Sequence, residues 1–295
     1  MGRAVSVAAA GAAVALVGAG FGAGTGVASP HARSAGSLTP TIKVVAGKHS
    51  FKVSGPTTFS AGRVALVLNS KKGDHAAEIA SLDSGYTFKK VRKDFRIFNH
   101  LSKKGKGGSK KALKHLDRLV KNVNFYGGLE AKNQKERATV VLPTAGKYFV
   151  VDDTHAPKRA EKLTVTAATT PRPAPKSSVT ETALTKRRFG GPTHLPAKGT
   201  ITFKNKSNES PHFLALLHVK KSTTKKQAFN EFTGKSKTNY FLKDQAGTDV
   251  LGEGMSQTLH YNVPKGKYVE FCFFPDPKTG MPHVFMGMLR MVHLK

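Results

Sequence analysis

The chain echoes itself over a long distance, and that echo constrains its fold more than any other feature. Leu142-Pro143-Thr144-Ala145-Gly146-Lys147-Tyr148 is answered by Val263-Pro264-Lys265-Gly266-Lys267-Tyr268, and the apolar run ending at Asn69 is answered by the run 196–205. The segment that begins at His75 is answered by Pro211-His212-Phe213-Leu214-Ala215-Leu216-Leu217. Short runs of branched and aromatic residues bounded by Gly, Pro and Asn are strands and turns. A repeated set of them predicts two all-β units built alike, each a β-sandwich. At 295 residues the chain gives each unit enough length to bury its own core.

In order, residues 1–29 read as a secretory signal: Arg3, then an apolar run of small residues from Ala4 to Val17, then Gly26-Val27-Ala28-Ser29 for cleavage. Residues 30–40, rich in Ser, Gly and Ala, read as a disordered mature terminus. The first sandwich is expected over 41–168. Within it the period changes at Tyr86: Phe88, Val91, Phe95, Phe98 and Leu101, then Leu113, Leu116, Leu119 and Val120, recur at helical spacing around a break at Gly105 to Gly108. This predicts a two-helix insertion over about 86–122, apolar on one side and carrying Lys89, Lys90, Arg92, Lys93, Arg96, Lys110, Lys111, Lys114, Arg118 and Lys121 on the other. Alternating Pro171, Pro173 and Pro175 mark residues 169–178 as a stiff linker. The second sandwich is expected over 179–295, with a short helix at 224–232.

Lys and Arg number 48 against 18 Asp and Glu, a formal net charge of +30. Such a surface attracts anions. An anionic cell-wall polymer or membrane surface is the expected class of partner, and specific nucleic-acid binding is not expected. The single cysteine, Cys272, cannot make an internal disulfide. It is therefore buried, metal-bound or paired between molecules.

Residues 271–288 gather a thiol, an imidazole and a thioether at Cys272, His283 and Met288, between two apolar runs. Thiolate and thioether donors favour copper, and a trigonal copper site needs a second imidazole, which His212 can supply. The plainer alternative is a copper-free core in which Cys272 acts as a small hydrophobe and the methionines fill space. At these residues the sequence resembles the cupredoxins, blue copper proteins with a Greek-key β-sandwich. The segment 205–212 resembles their first-ligand segment, and Cys272, His283 and Gly287-Met288 resemble the rest. The resemblance implies one copper in the C-terminal unit, held by His212, Cys272, His283 and Met288, with Met286 as the alternative thioether.

The resemblance also has a departure. Ten residues separate Cys272 from His283, more than in the small electron carriers of the family and close to the longer loops of its nitrite reductases. In the first unit His75 persists, but Asp152 stands where the cysteine would be, and no Met follows His155. Asp152, Asp153 and His155 could bind a harder metal, but loss of the site is the expectation. No His-X-His pair exists for a trinuclear cluster, Phe273 rather than His follows Cys272, and there is no phosphate loop or serine-hydrolase elbow. The expectation is a secreted, extracellular or wall-associated copper protein, not an enzyme, passing single electrons to a redox partner protein. A copper-free sandwich bound to anionic wall polymer is the alternative, and copper storage or delivery a third.

Overall fold

The computed structural model describes residues 39–152, 154, 160–168 and 172–295. The expected leader, nearly all of the stretch 30–40, Asp153, His155 and the start of the linker lie outside them. The N-terminal half contains β1 (Thr41–Gly47), β2 (Ser50–Ser54), β3 (Thr58–Ser60), β4 (Gly62–Lys71), β5 (Asp74–Leu82), α1 (Phe88–Lys103), α2 (Lys110–Asn122), β6 (Val123–Lys132), β7 (Lys135–Leu142), β8 (Gly146–Val151) and β9 (Ala160–Thr166). The C-terminal half contains β10 (Val179–Leu184), β11 (Arg188–Gly190), β12 (His194–Leu195), β13 (Lys198–Asn205), β14 (Ala215–Val219), α3 (Lys225–Phe232), β15 (Phe241–Gly247), β16 (Ser256–Asn262), β17 (Gly266–Phe271) and β18 (Leu289–Leu294).

These strands make two Greek-key, cupredoxin-like sandwiches, the first with a helical insertion. In the first, the layer β2-β1-β4-β7 faces β3-β9-β8-β5-β6; in the second, β11-β10-β13-β16 faces β12-β18-β17-β14-β15. The pairing schemes agree in sense as well as order: β1 runs parallel to β4 as β10 does to β13, and β3 parallel to β9 as β12 does to β18. Alternation drives the layers together. Along β1, Ile42, Val44 and Ala46 are buried while Lys43 points out. The echoed Gly-Lys-Tyr segments share one anchor, because the Tyr148 hydroxyl donates to Thr144 O at 2.9 Å and the Tyr268 hydroxyl to Pro264 O at 2.8 Å. Each buried ring thereby ties its strand to the turn before it, the hydrogen bonding a buried tyrosine requires.

The two sandwiches are joined by strand pairing. β7 lies antiparallel to β16, with Val140 opposite Gln257 and Ala138 opposite Leu259, so the two layers form one eight-stranded sheet. Two exposed sheet edges are removed at a stroke. Next to this seam the buried Gln257 amide accepts from Gly128 N at 2.7 Å and donates to Gly128 O at 3.1 Å. The approach demands glycine: a Cβ at Gly127, whose φ is +96°, would lie 2.0 Å from Gln257 Oε1. Glu78 of β5 crosses the same seam, accepting from Gly127 N at 3.3 Å and from Val250 N at 3.0 Å. Beyond the seam, part of the expected linker is docked. The Arg172 guanidinium donates to Ser60 O at 3.0 Å and to Arg63 O at 3.1 Å.

The insertion packs Val91 and Phe95 with Leu119 and Val123 against Ala80, while Phe98 meets Ala112 and Leu116 between the helices. Thr87 and Ser109 cap α1 and α2. One buried carboxylate, Asp94, receives Tyr86 Oη at 2.8 Å, Arg118 Nε at 3.0 Å and His115 Nδ1 at 2.6 Å. Arg118, expected on the free basic face, is thus partly committed to the interior.

At the seam, burial pushes the Asp249 carboxyl up to about 7 from the ordinary carboxylate range; repulsion from Glu130 adds, and its hydrogen bond with Glu78 opposes. Its folded value exceeds its unfolded one, so the native state holds the extra proton. The contribution is full below about pH 4 and is lost as pH rises through about 7. Asp249→Asn is expected to flatten the fall in Tm between about pH 5 and about pH 8; an unchanged slope in thermal melts would rule this group out.

Candidate metal centre

Cys272 follows β17 directly. Alternation along that strand turns Tyr268, Cys272 and Phe274 into the sandwich and sends Val269, Phe271 and Phe273 to an outer cluster shared with α3. His212 precedes β14, and its backbone is paired both ways with Leu251, its N–H reaching Leu251 O at 3.0 Å and the reverse bond measuring 2.7 Å. Leu251 is bridged in turn to Tyr126 of β6, so the N-terminal sandwich braces the segment that holds the first histidine. His283 opens a 3₁₀ turn, His283–Met286, after Pro282. Its N–H donates to Phe274 O at 3.0 Å, and Val284 N–H donates to Cys272 O at 2.7 Å, which cross-ties the long loop at its base. Gly287, at φ 103°, turns the chain so that Met288 N–H returns to His283 O at 3.0 Å.

These constraints bring three donors together. Cys272 Sγ lies 3.8 Å from His212 Nδ1 and 3.7 Å from His283 Nδ1, and all three donor atoms fall within 4.8 Å of one another. Each residue is 0 % exposed. Among the described residues no other cluster of three metal-ligating side chains is so close. Bonds of about 2.0 Å to nitrogen and about 2.3 Å to sulfur, meeting at a trigonal angle of about 120°, put N and S about 3.7 Å apart. The spacing therefore fits one thiolate and two imidazoles around a single soft ion, and copper suits that donor set.

The ring orientations agree. His283 Nε2 lies 3.3 Å from Ser210 Oγ, and its Nδ1 faces the sulfur. His212 Nε2 is buried without a partner, so its ring is oriented by packing and backbone pairing. Met288 is fully buried in the same core cluster as Cys272, whereas Met286 is partly exposed. The structure thus gathers His212, Cys272 and His283 and seats Met288 beside them.

Burial pulls the His212 imidazole down to about 3, with His283 and Arg187 adding to the effect. Burial also pulls His283 down to about 4; Arg187 adds and Asp276 opposes. Both rings are neutral, as ligands must be. Burial pushes the Cys272 thiol up to about 12, against hydrogen bonds from the backbone N–H groups of Phe213 and Phe274. Those two N–H groups are poised to hold a thiolate once a metal has displaced its proton.

The N-terminal counterpart is built differently. His75 Nδ1 lies 2.9 Å from Asp152 Oδ2, while Asp152 Oδ1 accepts from Ala76 N at 3.2 Å and from Thr154 Oγ1 at 2.6 Å. The carboxylate that replaces the cysteine is occupied by its neighbours. His155 and Asp153, which were to complete a harder-metal set with it, lie outside the described residues. The sequence reading did not single out the residues that surround the C-terminal donors from other elements: Arg187, Ser210 and Leu251. They occur in no pattern of spacing or periodicity, and only their side-chain and backbone contacts reveal them.

No family model matches the chain, and no curated protein does. Solved structures do. An auracyanin from Roseiflexus castenholzii is 22% identical over 40% of this chain and 94% of its own, at a TM-score of 0.24. Auracyanin A from Chloroflexus aurantiacus, described as a blue copper protein, is 15% identical over 39% and 96%, also at 0.24. A copper-containing nitrite reductase from Thermus scotoductus is 10% identical over 88% and 61%, at 0.22. Strand order and the donor cluster carry the assignment. The fold is that of the cupredoxins. In this cupredoxin-fold protein the C-terminal sandwich carries a donor group of the type 1 copper kind.

The protonation states have a measurable consequence. With both imidazoles neutral and the thiol protonated, binding copper through sulfur releases one proton. Apparent copper affinity is expected to rise about tenfold per pH unit between about pH 5 and about pH 9, with unit slope. Competition titrations check this, and a slope near zero would exclude the thiolate.

Proposed function

We propose that this protein binds one copper ion at His212, Cys272, His283 and Met288 and carries single electrons outside the cytoplasm. The observation that supports this is the placement of both imidazole Nδ1 atoms within 3.8 Å of a sulfur to which water has no access. Bound copper supplies a one-electron couple. The chain's own residues do the rest. Two histidines held by backbone bonds and a sulfur braced by two N–H groups would hold their positions in either redox state of a bound copper, so little reorganisation would accompany transfer. Phe273, Phe274 and the α3 side chain Phe232 exclude water, with Phe232 and Phe273 centroids 5.1 Å apart, edge to face. Complete burial favours a carrier over copper storage or delivery, which needs a site that exchanges readily. The signal-like residues 1–29 motivate the placement outside the cytoplasm.

The deciding test is an absorption spectrum of the purified protein after copper(II) addition and desalting, beside Cys272→Ser. An intense visible thiolate-to-copper band with one retained copper, absent from the variant, is expected. A colourless protein holding no stoichiometric copper would return Cys272 to the role of a core hydrophobe.

A second role, compatible with the first, is supported by the insertion. The exposed Lys89, Lys90, Arg92, Lys93, Arg96, Lys110, Lys111 and Lys114 of α1 and α2 find no free acid on these two helices, because Asp94 is buried and Asp117 is paired with Lys121 at 3.0 Å. The apolar faces are packed inward, which leaves a cationic surface suited to a linear wall polyanion. Binding to such a polymer should weaken steeply with salt. Exchanging Lys89, Lys93, Lys110 and Lys114 for Gln should lower affinity at low salt by tenfold or more; unaltered binding would remove the insertion from this role.

A further inference from the structure

His283 is fully buried, and a residue from a distant hairpin contacts the loops on either side of it. Between β10 and β11 the chain turns through Lys186 and Arg187, both left-handed at φ 59° and 51°. Side-chain residues adopt that conformation at a cost, and two in succession at a turn that could have used glycine invite a functional explanation. The turn is held by its contacts. Lys186 N donates to Glu209 Oε2 at 3.1 Å. The Arg187 guanidinium donates through Nε to Asp276 Oδ2 at 3.2 Å, reaches the same oxygen through a second nitrogen, and lies 3.6 Å from Glu209 Oε2.

Those two acids belong to the two loops that carry the imidazoles. Glu209 adjoins Ser210, whose hydroxyl meets His283 Nε2, and lies three residues before His212. Asp276 organises the long loop between Cys272 and His283. Its Oδ1 accepts from Lys278 N at 3.0 Å and from both N and Oγ1 of Thr279 at 2.8 and 3.0 Å, and its N–H bonds Met281 O at 2.9 Å. The Asp276 side chain is 1% exposed and that of Arg187 20%. The ion pair is therefore a shielded one, in which removing either partner leaves the other poorly compensated.

We propose that Arg187 is a clasp that fastens the two ligand-bearing loops over His283 and sets how fast copper enters and leaves. Arg187 touches no metal-binding atom and acts by positioning Asp276 and Glu209. The copper part of this inference rests on the function proposed above. The closing part does not, because Cys272 is the only cysteine and reports by itself whether the site has opened.

The test uses the full chain in two states. In the copper-free protein, the rate at which Cys272 reacts with a disulfide reagent such as DTNB measures opening without reference to metal. Arg187→Gln and Asp276→Asn should each raise that rate at least tenfold, by more than any accompanying fall in Tm accounts for, with Arg187→Lys in between. The asparagine keeps the Oδ1 acceptor of the loop and carries the test should Arg187→Gln not fold. In the double variant the rate should not exceed that of the faster single variant, because one contact has been broken twice. Wild-type rates in both single variants, or accelerations that multiply in the double variant, would overturn the clasp. In the copper-loaded protein, a chelator should strip the metal at least tenfold faster from Arg187→Gln. A faster thiol reaction with unchanged stripping would overturn control of copper exchange. A wild-type protein that retains no copper would refute the proposed function while the thiol rates still decide the clasp.

Discussion

Holding a thiol and two imidazoles within 4.8 Å of one another, with water excluded, is the constraint on which the rest of the C-terminal sandwich depends. Buried polar groups are tolerated only when their partners are supplied. Here the backbone supplies most of them. Phe213 and Phe274 donate to the sulfur, Leu251 pairs with His212, and Phe274 and Cys272 accept from the His283 turn. The donors that remain face each other, in a set that a soft ion would complete. That is why neutral imidazoles and a protonated thiol belong to one arrangement: each uncharged state is what burial enforces until a metal takes the thiol proton.

The N-terminal sandwich contributes to this site although its own equivalent position is filled by the His75–Asp152 pair. Its β6 bridges Leu251, the residue whose backbone pairs with His212, and its β7 turns the edge strand β16 into an interior strand. Gly127 permits the contact by letting β6 approach Gln257 with no Cβ between them, while a Cβ at Gly128 would meet Ala77 O of β5 at 2.3 Å. The second sandwich is thereby tied at two levels, by the sheet and by the ligand segment. The helical insertion follows a different logic. Its apolar stripe is spent on the N-terminal sandwich, and its charge is left outside, away from the dry interior that the metal donors require.

Much of this was legible in the chain. The echoed apolar runs identified β4, β5, β13 and β14 and the turns that open β8 and β17, and the change of period at Tyr86 identified α1 and α2, because side-chain spacing directly reflects backbone geometry. The donor residues stood out because His212, Cys272, His283 and Met288 occur in an order and chemistry that few other arrangements share. β6 was not legible. Gly127-Gly128 interrupts its alternation, and the reasons for those glycines lie far along the chain, a glutamine more than a hundred residues away for Gly127 and the β5 backbone at Ala77 for Gly128. The commitment of Arg118 to Asp94 was equally invisible, since helical spacing marks a face without saying which of its cations finds a buried acid.

What the sequence determined by itself, then, was local: the strand and helix periods, the echoed turns with their tyrosines, the excess of cations, and the set of soft donors. These follow from the identities of neighbouring residues and their spacing. The tertiary structure alone decided which atoms meet. It set Nδ1 rather than Nε2 of each histidine toward the sulfur, chose the buried Met288 over the partly exposed Met286 as the core neighbour of Cys272, merged two sheets into one, and placed Arg187 across two loops. Each of those outcomes depends on contacts between segments far apart in the chain, and such contacts leave no periodic trace for a sequence to show.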